Sequence, residues 1–173
     1  DVLWAGGTEF LWQVSSDLTA IQVTPSPDGT EPQVEGPFTG IWAYTPNHIW
    51  FATIATVFEY STERAEITEY TPPFGNETGE ITAITGVNQE SVWVASNGGG
   101  AAQYRLAGKD IASMRSWGGF TQGGLSANNV RSIAVDADGS VWFATSIGVF
   151  RYQPWSFQTI DEQLDSLPVN DLL

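Results

Sequence analysis

The residues most suited to chemistry are acidic. Asp136 and Asp138 stand one residue apart inside Asn129–Tyr152, NVRSIAVDADGSVWFATSIGVFRY. Such a pair offers cation ligands, an acid and a base, or a turn. A calcium loop needs further oxygen ligands beyond its first acidic residues. Asp136-Ala137-Asp138-Gly139 instead runs straight into the strand-like Ser140-Val141-Trp142. The pair therefore reads as a hairpin turn, in which Asp and Gly tolerate positive φ; no metal site is expected. Asp17, Asp28, Glu31, Glu35, Glu63, Glu66 and Glu69 are candidates for the paired carboxylates of glycoside hydrolysis. That chemistry needs two groups at a fixed separation across a cleft, and solvated strand and loop faces are the simpler reading. His48 is the single histidine, so a multi-histidine metal site is ruled out and any serine triad would hang on this one base. Its expected role is strand entry beside Trp50. Gly98-Gly99-Gly100 and Gly118-Gly119 lack the Lys-Ser/Thr and the helix of a phosphate cradle, and read as loop hinges. No catalytic residue and no cofactor are expected.

The elements that would position such groups follow from composition and repetition. The chain has 173 residues, 42% hydrophobic and 13% aromatic, enough for a sizeable core in one domain or a small ring of repeats. Twenty acidic residues against six basic give a net charge of -14. That field repels phosphate backbones and anionic membranes, so neither nucleic acid nor direct membrane insertion is expected. There is no cysteine, which removes disulfides, thiolate catalysis and zinc-thiolate sites. The first residue is Asp1 rather than Met, which suits a processed or excised product, and an extracellular or periplasmic location is the expectation.

Aligned on tryptophan, one phrase recurs four times: VLWAGGTEFLWQV, HIWFATIATVFEY, SVWVASNGGGAAQYR and SVWFATSIGVFRY. Trp4, Trp50, Trp93 and Trp142 are separated by 46, 43 and 49 residues. An apolar run precedes three of the copies (PFTGIWAY, EITAITGV, NVRSIAVD), and a strand-like piece follows each (LTAIQVT, AEITEYT, ASMRSW, SFQTIDE). Each unit thus holds about four short β-runs, the period of a propeller blade. In SVWFAT, Val141, Phe143 and Thr145 point one way and Trp142 and Ala144 the other. The predicted fold is all-β, a β-propeller of about four blades, each a four-stranded antiparallel sheet. Asp161 to Leu167 reads as a linker between blades.

Val130 to Tyr152, preceded by GLSAN, resembles the two-component regulator propeller repeat nearly position by position: a hydrophobic strand, an Asp-x-x-Gly turn, Trp-x-(Gly/Ala)-Thr, then Gly-hydrophobic-x-(Arg/Lys)-aromatic. The third copy keeps Trp93, Ala95, Ser96 and Tyr104-Arg105, the second Trp50, Ala52, Thr53 and Tyr60, and the first Trp4, Ala5, Gly6 and Gly7. The resemblance implies the sensor region of a bacterial regulator. These residues maintain the blade and name no ligand.

SLPVNDLL at Ser166 to Leu173 parallels LSANNVRSI at Leu125 to Ile133. The tail is therefore expected to supply the missing strand of the opening blade and close a small ring; the alternative is a section of a larger propeller. The expected units of a single 1–173 domain are 1–36 with 166–173, 37–79, 80–124 and 125–165.

Binding is favoured over catalysis. Trp12, Trp42, Trp117 and Trp155 fall outside the repeated position. Aromatic faces stack on sugars and anchor protein interfaces, while buried ones fill space between blades. Trp117, with Arg115 and Phe120 in the least strand-like segment, is the leading surface candidate, joined by Trp155. The function expected is a noncatalytic module for protein or glycan recognition or assembly, with an oligomer or a larger parent chain accommodated. The alternatives are the ligand-sensing part of a two-component regulator and a polysaccharide- or lactone-cleaving propeller.

Overall fold

A computed structural model describes residues 2–6, 11–15, 20–23, 34, 37–72, 74, 79–88, 90–107, 110–118, 125–153 and 156–159. Among the described residues, fifteen strands form four antiparallel sheets in chain order. The first contains β1 (Val2–Gly6), β2 (Leu11–Ser15) and β3 (Ala20–Val23). The second contains β4 (Phe38–Thr45), β5 (His48–Thr53), β6 (Val57–Ser61) and β7 (Glu66–Tyr70). The third contains β8 (Glu80–Asn88), β9 (Ser91–Asn97), β10 (Gly100–Ala107) and β11 (Asp110–Trp117). The fourth contains β12 (Val130–Val135), β13 (Val141–Thr145), β14 (Gly148–Gln153) and β15 (Ser156–Thr159). The all-β propeller of four-stranded antiparallel sheets read from the sequence is borne out, with three strands of the first sheet among the described residues. The expected linker and closing strand fall on residues 161–173, outside the described residues.

The repeated phrase is a hairpin whose register is conserved between blades. Trp4, Trp50, Trp93 and Trp142 sit opposite Gln13, Glu59, Gln103 and Arg151 on the next strand. Strand alternation then sends the tryptophan to one face and its two neighbours to the other. Ile49 and Phe51, Val92 and Val94, Val141 and Phe143 are all buried.

Those faces make three apolar cores between successive blades. Leu11, Ile49, Phe51, Phe58 and Ile67 form the first with Trp4 at its margin. Trp50, Ile81, Val92 and Tyr104 lie in the second, and Trp93, Val130, Val141 and Phe143 in the third. One contact repeats across all three. The tryptophan of a blade meets the tyrosine of the next: Trp4 and Tyr60 at 5.8 Å, Trp50 and Tyr104 at 6.2 Å, Trp93 and Tyr152 at 4.8 Å. β4 lies along β8 and β8 along β12, and Thr82 Oγ1 donates to the Val130 carbonyl at 2.7 Å across the latter seam.

The glycine triple differs from the expected hinge. Gly98 and Gly100, at φ 116° and 78°, make the tight β9–β10 turn, and both of their N–H groups donate to the Asn128 carbonyl, at 2.9 and 2.8 Å. The turn is thereby fastened to the segment leading into the fourth blade.

Candidate functional site

Asp136 is a turn residue in all its described bonds. Its Oδ1 accepts from the Asp138 and Ser140 backbone N–H groups at 3.0 and 2.9 Å, and its Oδ2 from the Trp142 indole at 2.8 Å. The indole bond foremost, then the Ser140 and Asp138 N–H groups and the nearby Arg151 charge, holds the carboxyl below the usual Asp range, against a smaller opposing effect of desolvation. Asn88 repeats the turn in the third blade, its Oδ1 accepting from Glu90 N at 2.9 Å.

These bonds carry a pH signature. With the folded pKa below the unfolded one, their contribution is present above the unfolded value of about 4 and disappears as pH falls through the folded value. Asp136→Asn is expected to flatten the acid side of the stability curve, followed by denaturant midpoints at successive pH values. An unchanged acid slope would refute the role.

A polar clasp spans the hairpin beside the repeated tryptophan in the second, third and fourth blades. Gln103 Nε2 donates to Ser91 Oγ at 2.8 Å, and an Arg151 guanidinium nitrogen to Ser140 Oγ at 2.6 Å. Arg151 also lies 5.4 Å from the Trp142 ring centroid. In the second blade the same two positions hold His48 and Glu59, with Nδ1 and Oε1 2.6 Å apart. Tyr70 donates its hydroxyl to Glu59 Oε2 at 2.9 Å. Burial, and then the Glu59 charge and bond, push the Tyr70 phenol far above its ordinary value, so it stays a donor. When Glu59 is ionised, both of its oxygens act as acceptors, from the Tyr70 hydroxyl and from His48 Nδ1. The His48 ring is thus fixed by a carboxylate, and its role exceeds strand entry.

Three clefts open toward the β4–β5, β8–β9 and β12–β13 turns. The one between the second and third blades, about 50 Å³, is lined by Trp42, Tyr44, Thr45, His48, Trp50, Glu59 and Leu106. The one between the third and fourth, about 280 Å³, includes Asn88, Ser91, Gln103, Arg105, Asp138 and Tyr152. A third, about 380 Å³, lies along Asn88, Glu90, Arg105 and Ser113.

Trp117 ends β11 half-buried, stacked on Trp93 at 5.0 Å and 5.5 Å from Tyr152, so it takes part in the third core. Arg115 is exposed two residues earlier on the same strand. The structure does not bring Arg115 to the clefts' lining. Phe120 and Trp155 lie outside the described residues, as do Asp17, Asp28, Glu31 and Glu35. Glu63, Glu66 and Glu69 are exposed; Glu63 accepts from Asn47 Nδ2 at 2.8 Å and Glu66 pairs with Arg64 at 2.9 Å. Sequence reasoning missed Glu59, Trp42, Thr45 and Tyr70 as one cluster. Comparing the residue opposite the repeated tryptophan in each copy would have exposed Glu59.

Residues 124–146 match the two-component regulator propeller family, which bears out the resemblance over that repeat. No curated protein matches the chain. Among solved structures, the extracellular domain of the hybrid two component system BT3049 from B. thetaiotaomicron is similar with a TM-score of 0.68 at 18% identity, covering 91% of this chain and 21% of that one. The extracellular domain of BT4673 from the same organism gives 0.69 at 18% identity, over 94% and 24%. YCF48 bound to D1 peptide gives 0.61 at 14% identity, over 97% and 52%. At these identities the likeness is one of fold. The chain spans about a fifth to a quarter of the first two structures, and a section of a larger propeller fits it.

Proposed function

We propose that this chain, a propeller section carrying a two-component regulator propeller repeat, is a noncatalytic module that recognises a protein or glycan outside the cytoplasm. The observation that carries the reading is where the ionisable groups go. Asp136 ties a turn, and His48 and Glu59 occupy the clasp that Ser91–Gln103 and Ser140–Arg151 occupy elsewhere. The polar clefts remain at one end of the blade seams, where turns on a rigid scaffold are suited to recognition. A peptide on a propeller of this fold, as in YCF48, supports a protein ligand. The exposed Arg115 on β11 is proposed as a contact outside the clefts, with Trp117 holding its strand, and Phe120 and Trp155 remain proposed contacts.

The similarity to extracellular domains of two component systems favours a second reading, the ligand-sensing section of such a regulator. Both predict saturable binding without turnover. Arrays of glycans and of extracytoplasmic peptides, incubated with the 173-residue chain and assayed in parallel for cleavage, check this. A retained, uncleaved ligand is the expected result. Cleavage abolished by His48→Ala or Glu59→Gln would replace recognition by catalysis.

A further inference from the structure

We infer that the cavity between the second and third blades binds a primary ammonium group. The inference rests on the recognition reading above and gives it a ligand chemistry. Its basis is a set of departures from the repeat that converge on one place. Opposite the repeated tryptophan on the following strand, the other blades carry Gln13, Gln103 and Arg151, and the second carries Glu59. Opposite it on the preceding strand, the third and fourth blades carry Thr85 and Ala134, and the second carries Trp42. At strand entry, Ser91 and Ser140 give way to His48. Trp42, His48 and Glu59 all line the same cavity.

Glu59 is 5% exposed where it lines this cavity, and a carboxylate so buried is costly unless a cation compensates it. Among the described residues its ion-pair partner is the His48 imidazole alone. The carboxylate offers about four acceptor sites, of which His48 and Tyr70 occupy two. Thr45 Oγ1, buried and without a hydrogen-bond partner among the described residues, lines the same space. Trp42 and Trp50 line the same space, and indole rings attract a nearby cation. Trp42 is held in place because its indole lies against Gly86 of the third blade, where a Cβ would collide with it.

Size decides the class. An enclosed apolar cavity that takes a benzene ring measures about 150 Å³, so the roughly 50 Å³ here is too small to enclose a sugar ring. A primary ammonium fits, with N–H groups for Glu59 and Thr45 and a carbon stem toward the indoles.

Methylammonium titrated into the 173-residue chain at constant ionic strength, read by tryptophan fluorescence and amide shifts, tests the site. A saturable change is expected, with none from tetramethylammonium, which is larger and has no N–H. Glu59→Gln and Trp42→Thr are each expected to weaken binding about tenfold or more. If Glu59→Gln does not fold, Trp42→Thr decides alone, because threonine already stands at that place in the third blade. N-acetyl-lysine amide and ethanolamine separate a protein side chain from a free amine as the source, by which of the two binds more tightly. No saturable response to methylammonium, or one unchanged in both variants, overturns the inference. No methylammonium response alongside a glycan or peptide bound equally by wild type and both variants overturns it while leaving recognition standing; failure of every probe overturns both.

Discussion

Trp93→Ala is expected to cost about 3–5 kcal/mol, the usual loss for deleting a fully buried tryptophan. Trp93 is 1% exposed and packs on Trp117, Phe143 and Tyr152 at 5.0, 5.5 and 4.8 Å. It joins two blades, so its removal opens the seam as well as its own sheet. Against a domain stability of about 5–15 kcal/mol, this is a large fraction. Trp142 occupies the same place in its blade but is half-buried, held by Asp136 and Arg151. Trp142→Ala is therefore expected to lose less than half as much. Urea unfolding of the two variants beside wild type measures the contrast. Equal losses would mean that the repeated contact between blades does not stabilise the fold as described.

Gly100→Ala is the second large effect, expected at about 2–5 kcal/mol from a positive φ combined with overlap. At φ 78° an L side chain is strained, and a Cβ there would run into the Trp117 carbonyl. Backbone cannot step aside as a side-chain tip can. The shift would pull β10 from β11 and loosen the two N–H bonds to Asn128. Gly139→Ala provides the comparison: its φ is 77°, yet its Cβ would meet only a Val87 methyl at 3.3 Å. Strain without backbone overlap should cost about 1–2 kcal/mol. Thermal and urea midpoints of both variants test the pair, and a Gly100→Ala no worse than Gly139→Ala would refute the clash.

The blades were legible because a hairpin with one buried face writes its register into alternation. SVWFAT alternates cleanly, and its Val141 and Phe143 are buried as expected. The Asp136 turn was legible for a local reason, since all its partners lie within six residues. The cavity was not. His48 and Glu59 are eleven residues apart, and their meeting depends on the register that the β5–β6 turn sets. Thr45 and Leu106 reach the same space from different blades. Trp117 was read as a surface residue of the least strand-like segment because β11 is largely exposed on both faces, so no alternation marks it clearly as a strand. Its stacking on Trp93 comes from pairing with β10, which single-sequence pattern does not reveal.

Recognition is proposed at the end of the blade seams that carries the β4–β5, β8–β9 and β12–β13 turns. Amide shift mapping tests it most directly, on the 173-residue chain with a ligand retained on the peptide or glycan arrays. The predicted perturbations gather at Asn47, His48, Ser91, Asp138 and Ser140, beside the clefts. Perturbations gathered instead at Ile54, Gly98 and Ile147, the opposite ends of the same strands, would contradict it.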